Sequence, residues 1–209
     1  MLTLCVDSVE NVWFGVAHEN ETVFATAFAF DGSRALQNLL KNIPFNVSFQ
    51  HSEKPTWFAE KVISSLASIY HGRECTESFS LAMDYLSSYA QKVLKTVSLI
   101  PTGYVASYGS VAKAVGGSPR AVGRVMASNP FPLIIPCHRV VNSDLSLGGY
   151  GGGVQVKLEI LRRESRGYTS IKEIKMNKSI LQAFPVEFVL KRLGNSASNK
   201  SLTPKSVKG

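Results

Sequence analysis

The sequence predicts an α/β protein of the α+β type: a strand-rich N-terminal part followed by a basic, mostly helical C-terminal part. Three observations carry this. Residues 11–18 and 23–30 alternate β-branched and aromatic positions around the polar turn Glu19-Asn20-Glu21, the pattern of a hairpin. Residues 58–70 and 85–97 place apolar side chains at helical spacing. Two short helical stretches then flank Gly116-Gly117, and the second opens with arginine, which outlines a helix-turn-helix.

The elements follow in order. In 58–70 the stripe is Val62, Leu66 and Ile69, ended by His71-Gly72. Residues 74–79 carry no pattern. In 85–97 the stripe is Leu86, Tyr89, Val93, Leu94 and Val97, broken by Pro101-Thr102-Gly103. A short helix is expected over 110–115. Ser118 can cap the next helix, with Pro119 at its first position, where a missing N–H costs nothing. That helix is expected over 120–128, stopped by Asn129-Pro130. After the glycine-rich run 148–153 a helix is expected over 154–165, and one more over 174–193, broken at Pro185. From Gly194 the chain is Ser, Asn, Lys and Pro, and reads as a disordered basic tail. The expected division is 1–84 sheet and helix, 85–170 helix-turn-helix, 171–193 helical extension and 194–209 tail.

A chain of 209 residues can bury one core or two small ones. Its 44% hydrophobic content excludes a disordered protein. The net charge of +8 and pI of 9.5 favour a polyanionic partner, nucleic acid before an anionic membrane. Cys5, Cys75 and Cys137 are odd in number and widely spaced, so neither a disulfide framework nor a Cys-x-x-Cys metal knuckle is expected. Asp7 and Glu10 interrupt the start of the chain, so no leader is expected. The longest apolar stretch, 22–30, is too short to span a bilayer. A reducing interior fits: cytoplasmic, or nuclear if the source is eukaryotic.

The chemistry concentrates in Asn129-Pro130-Phe131-Pro132-Leu133-Ile134-Ile135-Pro136-Cys137-His138-Arg139-Val140-Val141. Three prolines fix the backbone that presents Cys137. A lone cysteine is ordinarily a small buried hydrophobe. Here His138 and Arg139 adjoin it, and positive charge beside a thiol favours the reactive thiolate.

Pro-Cys-His-Arg-Val at 136–140 resembles the signature of the O6-alkylguanine-DNA alkyltransferases, also called methylated-DNA–protein-cysteine methyltransferases. Arg120-Ala121-Val122-Gly123, Asn129-Pro130 and Gly149-Tyr150 match at the family's separations. The strong match covers about 95–167, while the first 75 residues agree only in outline. The resemblance implies a ribonuclease H-like N-terminal domain, with an antiparallel sheet and a helix, and a C-terminal winged helix-turn-helix. It implies single-turnover transfer of an alkyl group from O6-alkylguanine in DNA to Cys137, with O4-alkylthymine a further candidate substrate. Minor-groove binding and base flipping go with it, because a stacked base offers a buried thiol no line of attack. No cofactor and no membrane are implied, and the protein is expected to be a monomer.

Roles carried over by the resemblance are these. Cys137 is the nucleophile, His138 its base through a water, and Glu164 orients His138. Arg120 fills the gap left by the flipped nucleotide, and Asn129 is a hinge between recognition helix and active strand. Tyr108 contacts phosphate or base during rotation. Met126, Pro132 and Tyr150 line the guanine pocket. The carbonyls of Cys137 and Val140 accept from the guanine amine, and the Gly151 amide donates to O6. Glycine at 151 departs from members with serine there, but the donor is backbone. Some members hold a structural zinc with two cysteines and two histidines. Here Cys5 lacks a second cysteine among the first strands, and His18, His51, His71 and Cys75 form no ligand set, so no metal is expected.

Other classes account for less. A non-catalytic damage binder would lack Cys137. A cysteine hydrolase brings its Cys and His from distant segments rather than adjacent positions. A winged-helix regulator leaves Pro136-Cys137-His138-Arg139 without purpose.

Overall fold

The structure, a computed structural model, describes residues 1–176 and 179–200. The N-terminal domain is built on β1 (Leu2–Val9), β2 (Val12–Glu19) and β3 (Thr22–Ala29), an antiparallel meander. Both of its turns place residues at positive φ, Glu10 and Asn11 in the first and Asn20 in the second, a region that asparagine tolerates. The sheet is not purely antiparallel as expected. β4 (Phe49–His51) joins β1 in parallel and β5 (Ser80–Leu81) joins β3 in parallel, giving the order β4-β1-β2-β3-β5.

Each face of this sheet carries a helix, where the sequence led us to expect one. α1 (Gly32–Asn42) is capped by Asp31, whose carboxylate accepts from Arg34 N at 2.7 Å, and buries Leu39 against Leu2, Leu4, Ala25 and Ala27. α2 (Trp57–Tyr70) is capped by Thr56 and lies on the other face against Phe14, Val16 and Val23. Alternate side chains of each strand feed the two layers.

The C-terminal domain begins with α3 (Ser88–Val97), which starts three residues later than its apolar stripe suggested because the Ser87 side chain caps it there, accepting from Ala90 N at 3.2 Å. β6 (Tyr104–Ser107) leads into α4 (Tyr108–Val115), and Gly116-Gly117 turns the chain into α5 (Pro119–Ala127). The cap on α5 is the expected one, with Ser118 Oγ accepting from Ala121 N at 3.2 Å and Pro119 in the first turn. Val111, Val115, Val122 and Val125 join the helix pair to the main core. The 129–136 loop, a 3-10 turn at Cys137–Arg139, β7 (Val140–Val141) and α6 (Val154–Glu164) complete this part.

The extension corrects the sequence reading. Instead of one helix over 174–193, β8 (Lys172–Lys175) and β9 (Ile180–Pro185) pair antiparallel, and β9 adds to β6 in a sheet ordered β7-β6-β9-β8. Leu181, Ala183 and Pro185 are buried while Ile180 and Gln182 are exposed, a period of two that only a strand satisfies. α7 (Val186–Lys200) follows, so the expected tail does not begin at 194. The disorder expected beyond Lys200 lies outside the described residues. No helix among the described residues is long and apolar enough to cross a membrane.

The two domains dock directly. Thr26 N donates to Pro130 O at 2.8 Å and Thr26 Oγ1 to Pro132 O at 2.9 Å, tying β3 to the 129–136 loop. On the far side, the Arg163 guanidinium lies 4.8 Å from the centre of the Tyr70 ring, and Arg166 donates to Gly72 O. Gly72 sits at φ 72°, and a Cβ there would come within 2.3 Å of Arg163 O, so both the turn and the contact require glycine.

Candidate active site

Cys137 sits at the start of the 3-10 turn, 8% exposed, with its N–H donated to Ile135 O at 2.7 Å. The loop before it is held by Asn129 at the end of α5. Asn129 Nδ2 donates to Ile135 O at 3.1 Å, and Asn129 Oδ1 accepts from Phe131 N at 3.0 Å. Leu133 within this loop adopts φ 73°, a region β-strand residues avoid, so the clamp holds a strained backbone.

Behind Cys137 lies a buried polar cluster. His138 Nε2 is 2.9 Å from Glu164 Oε1, and both side chains have no exposed surface. Arg139 grips the same carboxylate with Nε and one terminal nitrogen, at 2.7 to 3.1 Å, and donates also to Ile100 O at 2.6 Å and Thr102 Oγ1 at 3.0 Å. Burial opposes ionisation of Glu164, but His138 and Arg139 outweigh it and hold its pKa down at about 2. Burial and the Arg139 and Lys157 charges lower the His138 pKa more than Glu164 raises it, so the imidazole is neutral at pH 7. A carboxylate can only accept, so Nε2 carries the hydrogen and Nδ1, which has no protein partner, is left basic.

This corrects the idea that His138 and Arg139 supply positive charge to the thiol. The first is uncharged and the second is spent on Glu164. The cation that couples to Cys137 is Lys157, on the buried face of α6. Its ammonium donates to Val140 O at 2.6 Å, Leu147 O at 2.5 Å and Gly149 O at 3.4 Å. Burial lowers its pKa to about 8, partly countered by Cys137. Burial pushes the Cys137 thiol up, with Asn129 and Lys157 opposing.

In front of Cys137 opens a cavity of about 650 Å³. Tyr108, Met126, Cys137, Tyr150 and Gly151 all line it, which brings together five of the expected residues. Burial raises the Tyr108 and Tyr150 hydroxyls, with Cys137 adding to both, so both remain protonated donors; Tyr150 Oη has no protein partner. Pro132 lies elsewhere, in a smaller adjoining cavity that also reaches Cys137 and Asn129. Arg120 is exposed at the N-terminal end of α5, outside both. Val140 is fully buried, and its carbonyl already accepts from Lys157.

The chain is similar to known proteins of one family. The model of the DNA-binding domain of 6-O-methylguanine DNA methyltransferase matches residues 88–166. A methylated-DNA–protein-cysteine methyltransferase of Thermococcus kodakarensis is 34% identical over 160 residues, 73% of this chain and 88% of that protein. The chain belongs to this family. The crystal structure of O6-methylguanine-DNA methyltransferase from Pyrococcus kodakaraensis strain KOD1 superimposes with a TM-score of 0.62 at 32% identity, covering 78% of this chain and 99% of that one. Mycobacterium tuberculosis OGT in complex with DNA gives 0.63 at 26% identity, covering 78% and 92%. Against other curated methyltransferases of the same name the chain spans less, 66%, 44% and 48% of their length.

Among the residues gathered around Cys137, Lys157 escaped the sequence reading. A signal was present: Lys157, Ile160, Leu161 and Glu164 fall at i, i+3, i+4 and i+7, so the apolar stripe of α6 places both charged residues on the buried face. The part played by the N-terminal domain, whose β3 and α1 line the smaller cavity with Phe28, Asn38, Lys41 and Asn42, had no sequence signal.

Proposed function

We propose that the protein, acting as a monomer, reverses O6-alkylation of guanine in double-stranded DNA by a single transfer to Cys137. The observation that carries the reading is Cys137 at the meeting point of an open cavity and a buried His138–Glu164–Arg139 cluster. His138 Nδ1, basic because Nε2 is committed to Glu164, takes the thiol proton through a water. The Sγ electron pair then attacks the alkyl carbon in line, the carbon–O6 bond breaks, and its electrons leave with guanine. That base ends with the proton that Cys137 lost. The thioether is stable, so each molecule reacts once. Lys157 stabilises the thiolate and developing negative charge beside it.

DNA is read through a winged helix-turn-helix, with α4 and α5 as the helix pair and α5 in the minor groove; the N-terminal domain is of the ribonuclease H-like type. The lesion is flipped into the larger cavity between Tyr108, Met126 and Tyr150, and Arg120 fills the gap in the stack. The Gly151 amide faces O6, and the carbonyls of Cys137 and Val140, each keeping a second lone pair, accept from the guanine amine. The exposure of Arg120 in the first turn of α5 and the net charge of +8 support this docking.

The test is intact-mass analysis after incubation with a duplex holding one O6-methylguanine. The protein should gain one methyl group in place of hydrogen, mapped to Cys137, and Cys137→Ala should bind the duplex and gain nothing. Demethylation by the alanine variant would overturn the assignment.

A further inference from the structure

We infer that the smaller cavity is a lateral subsite for alkyl groups that end in an anion, and that Lys41 of the N-terminal domain recognises that end. The inference rests on Cys137 being the acceptor of an alkyl group. In an in-line displacement, sulfur, carbon and leaving oxygen share one axis, so everything else on the carbon projects sideways. A methyl group needs little room there, but a longer group needs a lateral space that starts at Sγ. The smaller cavity is such a space. It shares Met126, Cys137, Tyr150 and Gly151 with the guanine-sized cavity and then runs toward β3 and α1. Its volume of about 160 Å³ is an order of magnitude above the ~10–15 Å³ that admits one water.

The walls change character along its length. Near Cys137 they are apolar, formed by Pro132, Met126, Tyr150 and Phe28. At the far end stand Asn38, Lys41 and Asn42, in the last turns of α1. The two amides are already pinned, since Asn42 Nδ2 donates to Thr26 O at 3.0 Å and Asn38 Nδ2 points to Phe28 O at 3.5 Å. Each amide therefore has one N–H directed at β3 and one left over. Lys41 is the one charged side chain lining the cavity among the described residues, and no carboxylate is paired with it there. A cation at the end of an apolar passage suits a carboxylate on an alkyl or benzyl group, held by a charge-assisted hydrogen bond. The transfer itself is unchanged: the Sγ–carbon bond forms, the carbon–O6 bond breaks, and the acid travels with the carbon.

A DNA phosphate could supply the same negative charge, so the test uses free bases, which carry none. Full-length protein is reacted separately with O6-benzylguanine, O6-(4-carboxybenzyl)guanine and O6-(4-aminomethylbenzyl)guanine, and rate constants are read by intact mass. The wild type should favour the acid over the amine by about tenfold, the size of one such contact. Lys41→Met should bring the ratio near one, and Lys41→Glu should reverse it. Lys41 is exposed in the last turn of α1, so these variants fold, which equal melting temperatures would verify. A ratio that does not respond to either variant overturns the subsite, and if duplex affinity alone changes, Lys41 is a phosphate contact instead. Should no probe modify Cys137, the alkyl-transfer reading falls first and the subsite with it.

Discussion

His138 and Glu164 share a 2.9 Å hydrogen bond in a place with no exposed surface, and Arg139 holds the same carboxylate from the other side. One carboxylate thus does two jobs. It fixes the tautomer of a neutral imidazole, and it neutralises a guanidinium that would otherwise be buried alone. A buried pair of this kind adds little net stability over an apolar pair, but removing one partner leaves an uncompensated charge. The cluster therefore couples His138, the proposed base, to the integrity of the fold.

Acid should expose that coupling. The folded-state pKa of Glu164, about 2, lies below its ordinary value of 4.5. A depressed carboxyl contributes stability that is complete above the unfolded pKa and is lost as pH falls toward the folded one. Its share, about 3 kcal/mol by linkage, should vanish between roughly pH 4.5 and 2. Glu164→Gln should lower stability at neutral pH by about 3–5 kcal/mol, because Arg139 is left unpaired. It should also flatten the acid limb of a melting-temperature profile. A variant whose acid limb matches the wild type would place the titrating group elsewhere.

How much of this was legible beforehand follows from where the signals lie. The β2–β3 hairpin, α2, the Gly116-Gly117 turn and the Ser118 cap are local features, written in residues that touch one another. β1 was hidden because Asp7 and Ser8, both exposed, break its alternation. α1 opens with Asp31-Gly32-Ser33, which reads as a turn until the cap is seen. Residues 174–193 contain apolar positions that suit either period, and the partner that decides between them, β6, lies some eighty residues before β9. At the site, Cys137, His138 and Asn129 were readable from one segment. Lys157 and Lys41 reach it from α6 and α1, and only the fold brings them there.

Lys157 gives a second prediction. Lys157→Met keeps the stem but removes the charge and leaves the carbonyls of Val140 and Leu147 without their donor. Two unsatisfied buried acceptors should cost about 2–4 kcal/mol. The sharper readout is kinetic. Without this ammonium the Cys137 thiolate loses a stabilising charge, so the benzylguanine rate at pH 7 should fall. In the wild type, the rate should rise with pH as Cys137 ionises and level off above about 8, where Lys157 loses its proton. The variant should rise without that break, and if the break persists the limiting group is another.

Arg120 should separate DNA work from chemistry. It is exposed on α5 and lines neither cavity. Arg120→Ala should slow repair of a methylated duplex by about 10- to 100-fold, corresponding to the few kcal/mol of unstacking that the side chain offsets. Reaction with free benzylguanine should change less than twofold. Equal losses on both substrates would mean that Arg120 supports the pocket.

Asn129 should do the reverse and damage chemistry with free and duplex substrates alike. Its side chain joins Phe131 N and Ile135 O, which lie just before Cys137 and enclose Leu133 at φ 73°. Asn129→Ala leaves a buried donor and a buried acceptor unpaired, at about 2–3 kcal/mol. For a domain pair of this size that is a fall of roughly 5–10 °C in melting temperature. The loop can then relax toward ordinary φ values and carry Cys137 off the axis of attack, where small displacements are costly. Asn129→Asp retains the acceptor for Phe131 N but loses the donor to Ile135 O, so it should fall between alanine and wild type in both melting and benzylguanine rate. A drop in duplex binding with an unchanged free-base rate would instead make Asn129 a simple end to α5, with no hold on the loop that presents Cys137.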